Sequence, residues 1–456
     1  MRVNFTARFF TAVFLISFIF ISCKTSSQNI PVQKKFDDDV VKIVSSMSVR
    51  EKIGQVFLMN FRFWKHSEIP NQEIVNEVYH TGTEKIPVTG VRRINPTIEK
   101  MIKTYHVGNV IIFTENLKDT DEAVKFIYDF QNLAVKNNGI PMLIGVDQEG
   151  GRVTRIKQSV KFPPARQIGL TGDTEIAFTE GQYLAEQINA FGINLDFAPD
   201  CDVDSNPKNR VIGDRSYSTN PQNAGDFSLA VYKGLKSKNV IACAKHFPGH
   251  GDTAIDSHVG LPRIKKSKSR WLKCEAVPFK MNISEEIPMI MTAHIQYPAL
   301  DNSKIKADRT QKEITRPATL SKKILTEMLR GELGFEGVIC TDAMDMHAIS
   351  KNFTESRAVI EALNAGADLI CHPLEVISFE DISRVEKMYS DIEKAVSDGT
   401  LPVERLDDAV MRIVQLKKDY RILYRKYSEP SKKDFDNTKK ILTQKKYQDF
   451  ADRFKQ

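Results

Sequence analysis

Two stretches of the sequence combine residue types that suit acid–base and nucleophilic chemistry. One begins with Lys245-His246-Phe-Pro-Gly-His-Gly-Asp252 and continues, after three intervening residues, with Asp256-Ser257-His258. In an Asp-x-His pair on a loop, the carboxylate can accept from one imidazole nitrogen while the other nitrogen exchanges a proton with substrate. The other stretch, Thr341-Asp342-Ala-Met-Asp345, offers a carboxylate that could attack an electrophilic carbon. Taken alone, His258 is better explained as a surface-loop histidine beside a turn-forming Asp-Ser, and the alternative for Asp342 is a helix N-cap.

Polar side chains also end most of the other apolar runs in the sequence. They are Asp147, Glu149 and Arg152 in one motif, Asp196 and Asp200 in the next, and His294 and His372 further along. A charged group beside a buried strand is costly unless it is paired or used. One such end could be a salt bridge, but six in register predict a shared polar pocket.

Eight short apolar runs, rich in Val, Ile and Leu, predict strands that are buried on both faces. The runs cover residues 56–60, 109–113, 142–147, 193–199, 240–246, 288–294, 337–342 and 368–372. Helical patterns lie between them, for example over 121–137, 174–191, 224–238 and 354–365. This alternation predicts an α/β fold, a single (β/α)8 barrel of the TIM type, with its chemistry at the C-terminal ends of the strands.

The barrel is predicted to occupy residues 37–425 as one catalytic domain. It opens with an amphipathic helix and a capping box at Ser48 and Glu51. Polar sequence with Pro and Gly over residues 62–95 predicts an insertion in the first crossover. Residues 426–456 are basic and polar, and for this tail we expect a surface helix or a frayed end.

Residues 1–22 have the layout of an export signal, because two arginines precede a long apolar run. Ser22-Cys23 and the polar residues behind it resemble a bacterial lipoprotein signal. That resemblance implies a lipidated Cys23 followed by a tether over residues 23–36. An ordinary cleaved signal with an incidental cysteine is the alternative. With lipidation, we expect the protein at an envelope membrane, in the periplasm or on the outer surface.

Composition limits the classes of function. Of 456 residues, 41% are hydrophobic and 27% charged, which is ordinary for a globular protein and excludes collagen-like, disordered and multi-span membrane classes. The 65 basic and 58 acidic residues leave a net charge of +7, too dilute to indicate a nucleic-acid partner. The histidines near Pro248 lack a HExxH helix and a cysteine partner, and the cysteines lack a CxxC pair. We therefore expect no metal, no cofactor and no disulfide framework.

The motifs closely resemble the signature of glycoside hydrolase family 3, in its β-N-acetylglucosaminidase branch. Five blocks match in the family's order: DQEGGRV at 147–153, VIGDRSY at 211–217, KHFPGHGD with the following DSH at 245–258, MTAH at 291–294 and TDAM at 341–344. The resemblance covers residues 38–420, nearly the whole predicted barrel. It implies that Asp342 is the nucleophile, that His258 is the acid/base and that Asp256 orients and polarises His258.

The resemblance also implies contacts to a sugar. Asp147, Arg215, Lys245 and His246 match positions that hold hydroxyls in the subsite beside the nucleophile, and their chemistry suits that role. Four further residues are weaker candidates, because each could equally lie behind the site or close the barrel: Arg152, Arg210, His250 and His294.

The function implied is that of a retaining exo-β-N-acetylglucosaminidase that removes terminal GlcNAc from GlcNAc-β-1,4-MurNAc fragments of peptidoglycan. The sugar follows from the resemblance alone, since strand patterns do not distinguish sugars. A phosphorylase with the same residues is an alternative, because a histidine acid/base does not repel phosphate as a carboxylate would. A non-catalytic sugar-binding lipoprotein is another, although Asp342, Asp256 and His258 are all present. The expected partners are the carbohydrate and, through the lipid, a membrane; the sequence leaves the oligomeric state open.

Overall fold

The computed structural model describes residue 1 and residues 35–69, 74–81, 84–253 and 260–455. Cys23, to which the sequence assigns a lipid, lies outside the described residues. Asp256 and His258, the predicted acid/base pair, also lie outside them. The eight predicted strands all lie inside.

Eight parallel strands, β1 to β8, form the nearly closed barrel that the sequence predicts. They are β1 Phe57–Asn60, β2 Asn109–Ile112, β3 Leu143–Val146, β4 Leu195–Asp196, β5 Ile241–Phe247, β6 Met289–Thr292, β7 Val338–Thr341 and β8 Ile370–Cys371. Each strand from β1 to β6 pairs with the next in the sheet, and β8 pairs with β1. A parallel bridge between Cys340 and Leu369 brings β7 beside β8. The strand residues are buried on both faces, which explains their unbroken apolar sequence.

Helices surround the barrel, and the four helices predicted between strands are confirmed to within three residues at each end. The α-helices are Asp38–Ser45, Val49–Val56, Pro96–Thr104, Thr120–Asn138, Ala165–Leu170, Thr174–Ala190, Pro221–Ser237, Lys268–Lys273, Ala276–Ser284, His347–Ser350, Glu355–Ala365, Ile382–Ser397, Val403–Asp419, Lys432–Leu442 and Lys445–Asp452, with a π-helix over Lys323–Glu332 and 3₁₀ turns at His66–Glu68, Gly213–Arg215, Ala318–Leu320 and Phe379–Asp381. Ser48 and Glu51 form the predicted capping box. Within the described ranges, no helix combines the length and the apolar character that crossing a membrane requires.

Helix Val403–Asp419 lies across the N-terminal end of the barrel. Three of its side chains donate to backbone oxygens that lie just before β8, β7 and β2. The pairs are Arg405 with Ala367 (2.7 Å), Arg412 with Glu336 (2.7 Å) and Lys417 with Gly108 (3.1 Å). Helix Asp38–Ser45 packs on the same helix, because Lys418 forms ion pairs with Asp37 (2.7 Å) and Asp39 (2.6 Å).

Short strands form two further sheets. In the insertion after β1, the strands Phe63–Lys65, Ile74–Thr81 and Glu84–Gly90 form an antiparallel sheet. The amide of Lys65 donates to the backbone oxygen of Ile377 (2.7 Å), which ties this sheet to the loop after β8. After β6, Lys304–Lys306 and Glu313–Thr315 pair as a two-stranded sheet.

The tail contains two helices, Lys432–Leu442 and Lys445–Asp452, that pack on the outer helices of the barrel. Tyr447 and Phe450 are buried, and both rings meet the edge of Phe162. The hydroxyl of Ser159 donates to the backbone oxygen of Leu442 (2.9 Å). These contacts anchor the tail to the barrel domain by apolar burial as well as by hydrogen bonds.

Candidate active site

A buried network of charges joins the ends of β3 and β5. The Lys245 Nζ atom lies 2.8 Å from Asp147 Oδ1 and 2.7 Å from Glu149 Oε1. Arg215, from the loop after β4, donates two hydrogen bonds of 2.8 and 2.7 Å to the same Glu149 carboxylate. Lys245 is 2% exposed. Buried charges of this kind are tolerated because each is paired with an opposite charge in good geometry.

The charges in this network hold one another ionised. Burial by itself raises the pKa of Asp147 and of Glu149, but the neighbouring cations outweigh it and keep both pKa values below the ordinary range. Lys245 acts most strongly on Asp147, and Arg215 most strongly on Glu149. Burial likewise lowers the pKa of Lys245, but the two carboxylates outweigh it and raise that pKa overall. The wall of the pocket therefore offers both anionic acceptors and cationic donors, which suits vicinal hydroxyls.

His246 and His250 share the carboxylate of Asp202. His246 Nδ1 lies 2.7 Å from Asp202 Oδ2, and the backbone amide of His250 donates to Asp202 Oδ1 (2.5 Å). This arrangement leaves Nε2 of His246 available to a ligand. His250 Nδ1 lies 2.9 Å from the hydroxyl of Thr253, the residue directly before 254–259. Nε2 of His250 is buried without a hydrogen-bond partner in the described part, and burial lowers the pKa of this histidine to about 4. His250 is therefore neutral at neutral pH.

One group of described residues could hold a cation. Ligand atoms of Asp200, Asp202 and His246 lie within 4.8 Å of one another. Asp202 already pairs with His246, however, and Arg215 Nη2 lies 3.4 Å from Asp200 Oδ2. Burial and the adjacent charge of Asp202 raise the pKa of Asp200 well above its ordinary value. The group therefore fits a hydrogen-bonded support for His246 and Arg215 better than a set of metal ligands.

Asp342 follows β7 directly and lies at the same end of the barrel. Its backbone amide donates to the oxygen of Thr292 (3.2 Å), and its Oδ1 accepts from the amide of Ala343 (2.8 Å). The next helix begins only at His347, with Met346 as its N-cap, so Asp342 is not a helix cap. In the described part, no salt bridge engages the Asp342 carboxylate. A carboxylate without a tightly bound cation is free to act as a nucleophile.

The weaker candidates contact loops that support the site. Arg152 pairs with Asp214 (2.8 Å) and donates to the backbone of residues 210–212, so its guanidinium holds the loop that carries Arg215. His294 is fully buried; Nδ1 lies 2.8 Å from the Thr319 hydroxyl and Nε2 lies 3.0 Å from the backbone oxygen of Ala343, beside Asp342. Arg210 is exposed on the rim.

Three residues that take part in the network were not among the predicted sugar contacts. Glu149 bridges Lys245 and Arg215, Asp202 orients His246, and Arg155 Nη2 lies 3.5 Å from Asp147 Oδ2. Glu149 and Arg155 lie in or next to the DQEGGRV block, so that block was the available signal. Asp202 lies two residues after Asp200, at the end of the same strand run.

Comparison with known proteins identifies the family. A family model described as "Glycosyl hydrolase family 3 N terminal domain" matches residues 48–416. The chain therefore belongs to glycosyl hydrolase family 3. Among curated proteins, "Beta-hexosaminidase A" of Pseudoalteromonas piscicida is 37% identical over 386 residues, which is 81% of this chain and 61% of that protein. The chain thus spans about three fifths of that relative's length.

Solved structures share the fold. A glycoside hydrolase family 3 β-N-acetylglucosaminidase from Paenibacillus sp. str. FPU-7 superposes with a TM-score of 0.73 at 30% identity, covering 89% of this chain and 69% of that one. A β-glucoside phosphorylase bound to 2FGlc gives the same TM-score at 22% identity, covering 92% of this chain and 67% of that one. The second likeness shows the fold alone. The fold and the family that the sequence predicted are both confirmed.

Proposed function

We propose that this protein is a retaining exo-β-N-acetylglucosaminidase that removes terminal GlcNAc from GlcNAc-β-1,4-MurNAc fragments of peptidoglycan. Membership of glycosyl hydrolase family 3 supports a glycosidase, and the relatives named beta-hexosaminidase support GlcNAc as the sugar. The observation that carries the proposal is the placement of Asp342. This carboxylate ends β7, has no salt bridge in the described part, and lies at the barrel end that holds the network of Asp147 and Lys245.

In the proposed first step, an Asp342 oxygen bonds to the anomeric carbon while the bond to the leaving oxygen breaks. The electron pair of the broken bond goes to the leaving oxygen, which needs a proton because a sugar alkoxide is strongly basic. His258 supplies that proton under the assignment that the family resemblance implies, and Asp256 orients its ring. In the second step, His258 takes a proton from water, the water oxygen attacks the anomeric carbon, and Asp342 leaves. Two inversions give net retention.

The pairing of charges in the pocket wall supports an uncharged sugar in this subsite. Two ionised carboxylates, Asp147 and Glu149, pair with the cations Lys245, Arg215 and Arg155, so a sugar meets charges that already have partners. Hydroxyl groups can donate to Asp147 and accept from the cations without stripping a counter-ion from the site.

Turnover of an aryl β-GlcNAc substrate, with and without phosphate, tests the proposal. We expect release of β-GlcNAc first, before it mutarotates, at a rate that phosphate does not change. GlcNAc-1-phosphate as the product would show a phosphorylase instead, and the absence of turnover would favour a sugar-binding protein. An aryl β-glucoside is the matched control for the sugar and should react much more slowly.

We also propose that Cys23 is lipidated and holds the enzyme at an envelope membrane. The support is the sequence alone, an apolar export segment that ends in Ser22-Cys23. Fractionation of cells that express the native chain, Cys23→Ala and the control Ser26→Ala tests it. We expect only Cys23→Ala to leave the membrane fraction, and equal partitioning of all three would contradict the anchor.

A further inference from the structure

Three polar side chains to which the sequence assigns no contact with a sugar meet where β7, β8 and β1 end. His372 Nδ1 lies 2.9 Å from Asp345 Oδ1, and His372 Nε2 lies 3.2 Å from Asn60 Nδ2. His372 is 6% exposed, and its backbone has a φ of 46°, a left-handed conformation that only a few per cent of non-glycine residues adopt. A conformation of this cost persists where the surroundings hold it, often at functional sites.

The hydrogen bonds fix which atom of His372 carries the proton. Asn60 Oδ1 accepts from the backbone amide of Arg62 (2.7 Å), so the other amide atom of Asn60, Nδ2, is the donor toward His372. His372 Nε2 must then accept, and the hydrogen of the neutral ring lies on Nδ1. Nδ1 therefore donates to Asp345. The backbone at Arg62 thus orients the Asp345 carboxylate through two intermediate side chains.

Asp345 keeps one oxygen open. His372 occupies Oδ1, whereas no described residue forms a hydrogen bond to Oδ2, and 36% of the side chain is exposed. Burial alone raises the pKa of Asp345, but the neighbouring His372 outweighs it and the pKa lies below its ordinary value, so the group is an anion at neutral pH. Asp345 lies three residues after Asp342 on the same loop. It is thus an oriented anionic acceptor beside the proposed nucleophile.

The position of Asp345 in the barrel indicates which part of a sugar it meets. The network of Asp147, Lys245 and Arg215 follows β3 to β5, whereas Asp345, His372 and Asn60 follow β7, β8 and β1 on the opposite arc. If a sugar spans both arcs with its anomeric carbon at Asp342, C2 is one bond away from that carbon, and its substituent is within reach of the loop that carries Asp345.

We propose that Asp345, positioned by His372 and Asn60, accepts a hydrogen bond from the donor on C2 of the bound sugar, the amide N–H of a 2-acetamido group. This inference rests on the proposed glycosidase function and deepens it. A carboxylate built to accept a hydrogen bond discriminates against a substrate that lacks the donor, because the acceptor is covered by the bound sugar and then left unpaired. Asp345 thereby contributes to sugar specificity, whereas His372 and Asn60 are positioning residues.

Asp345→Asn tests the inference because it replaces the acceptor oxygen that faces the sugar with a hydrogen-bond donor. The Nδ1 hydrogen of His372 requires an acceptor, so it holds the new amide oxygen and turns the NH₂ group toward the sugar. The kcat/KM for an aryl β-GlcNAc substrate should fall about 10- to 100-fold, the usual loss for a hydrogen bond to a charged group. For an aryl 2-deoxy-β-glucoside, which has no donor on C2, kcat/KM should stay nearly unchanged. That second substrate also shows that the variant is folded and that its nucleophile is intact.

His372 variants separate positioning from simple packing. His372→Ala should cause the same substrate-dependent loss, because Asp345 loses its orienting donor. His372→Asn should restore part of it, since asparagine supplies an N–H and tolerates the left-handed backbone. Equal losses of the variants on both substrates, or no loss of Asp345→Asn on the GlcNAc substrate, would overturn the inference. A wild-type enzyme that turns over the 2-deoxy substrate but not the GlcNAc substrate would overturn it as well. A wild-type enzyme inactive on both substrates would overturn the proposed function itself, and this inference with it.

Discussion

Asp368 at the N-terminal end of the barrel and Asp342 at the C-terminal end are both carboxylates beside β7 and β8, but their surroundings differ. Asp368 is fully buried and accepts from Arg330, from Arg405 (2.5 Å) and from the amide of Ile339 (2.8 Å). Asp342 accepts only a hydrogen bond from the amide of its own loop among the described residues. A buried charge whose partners are all protein groups stabilises the fold, whereas one with open oxygens is available to a ligand.

Two buried lysines show the same contrast. Lys245, near the active site, has two carboxylate partners, and these raise its pKa. Lys417, at the opposite end, is also fully buried but donates to neutral oxygens of Gln55 (3.0 Å) and Gly108 (3.1 Å). Burial without an anion lowers its pKa to about 7. Only the lysine beside the pocket keeps a full charge that a substrate can use.

Of the variants at the two ends of the barrel, Asp342→Ala should have the largest effect, and that effect is on turnover. We expect turnover to fall by about 10⁴-fold or more, because no neighbouring group can replace the nucleophile. A 2-fluoro sugar with a good leaving group should label wild-type enzyme, and tandem mass spectrometry should place the label on Asp342. Asp345→Asn, the matched control, should still be labelled. A label on Asp345 would show that the other carboxylate of this loop is the nucleophile.

The acid/base assignment predicts the next largest effect. His258→Ala should slow hydrolysis of natural disaccharides by about 10²- to 10⁴-fold, since their leaving oxygen needs a proton. Dinitrophenyl substrates leave unaided, so for them we expect a burst and then slow turnover as the covalent intermediate accumulates. Asp256→Ala should show the same pattern more weakly. The measurement is a plot of log rate against the pKa of the leaving group for wild type and both variants. If the variants have the same slope as wild type, His258 is not the acid/base.

At the N-terminal end, Asp368→Asn should lower stability and leave the chemistry intact. The change leaves Arg330 and Arg405 without their buried anion, which costs about 3–5 kcal/mol in the free energy of unfolding. Denaturant unfolding measures the decrease in the free energy of unfolding, and the folded variant should keep the kcat/KM of wild type. Asp408→Asn is the control: Asp408 also pairs with Arg405 but its side chain is 33% exposed, so about 1 kcal/mol or less is expected. Equal losses of stability in Asp368→Asn and Asp408→Asn would contradict the structural role given to Asp368.

The smallest effect concerns the pH dependence of stability. Between pH 7 and 10.5, the unfolded chain holds the Lys417 proton while the folded protein has released it, so the free energy of unfolding rises with pH in this window. Lys417→Met should remove this rise, whereas Lys418→Met, at the half-buried neighbour that pairs with Asp37 and Asp39, should retain it. Denaturant unfolding at pH 7, 8.5 and 10 gives the slope. An unchanged slope in Lys417→Met would show that the folded protein keeps this lysine charged.

The barrel strands were predictable because burial on both faces leaves an unbroken apolar run, as in Ile339 and Cys340 of β7. The insertion sheet was not, since its strand Ile74–Thr81 mixes apolar residues with Asn76, Glu77 and His80. That sheet forms through pairing with Glu84–Gly90, and such pairing is a property of tertiary structure rather than of local pattern.

The site residues that lie in a sequence motif were predictable. The contacts that depend on a reversal of the chain direction were not. Arg155 reaches Asp147 only because Gly150 and Gly151 adopt left-handed φ values of 84° and 52°, which reverse the chain between them. A separation of eight residues gives no sign of that contact. His372 was visible as a polar strand end, but its partners Asn60 and Asp345 are distant in sequence.

The packing of helix Asp38–Ser45 on helix Val403–Asp419 fixes the point at which the chain enters the fold. The chain enters the fold at the N-terminal end of the barrel, and the strand ends that carry Asp342 open on the opposite side. A lipid at Cys23, as proposed above, would therefore attach the protein to the membrane from the end of the barrel opposite Asp342. The thirteen peptide links between Cys23 and Phe36 set an upper limit of roughly 45 Å on the distance between the lipidated residue and the start of the fold. A barrel anchored in this way would stay within that distance of the bilayer, and its substrate would have to come equally near.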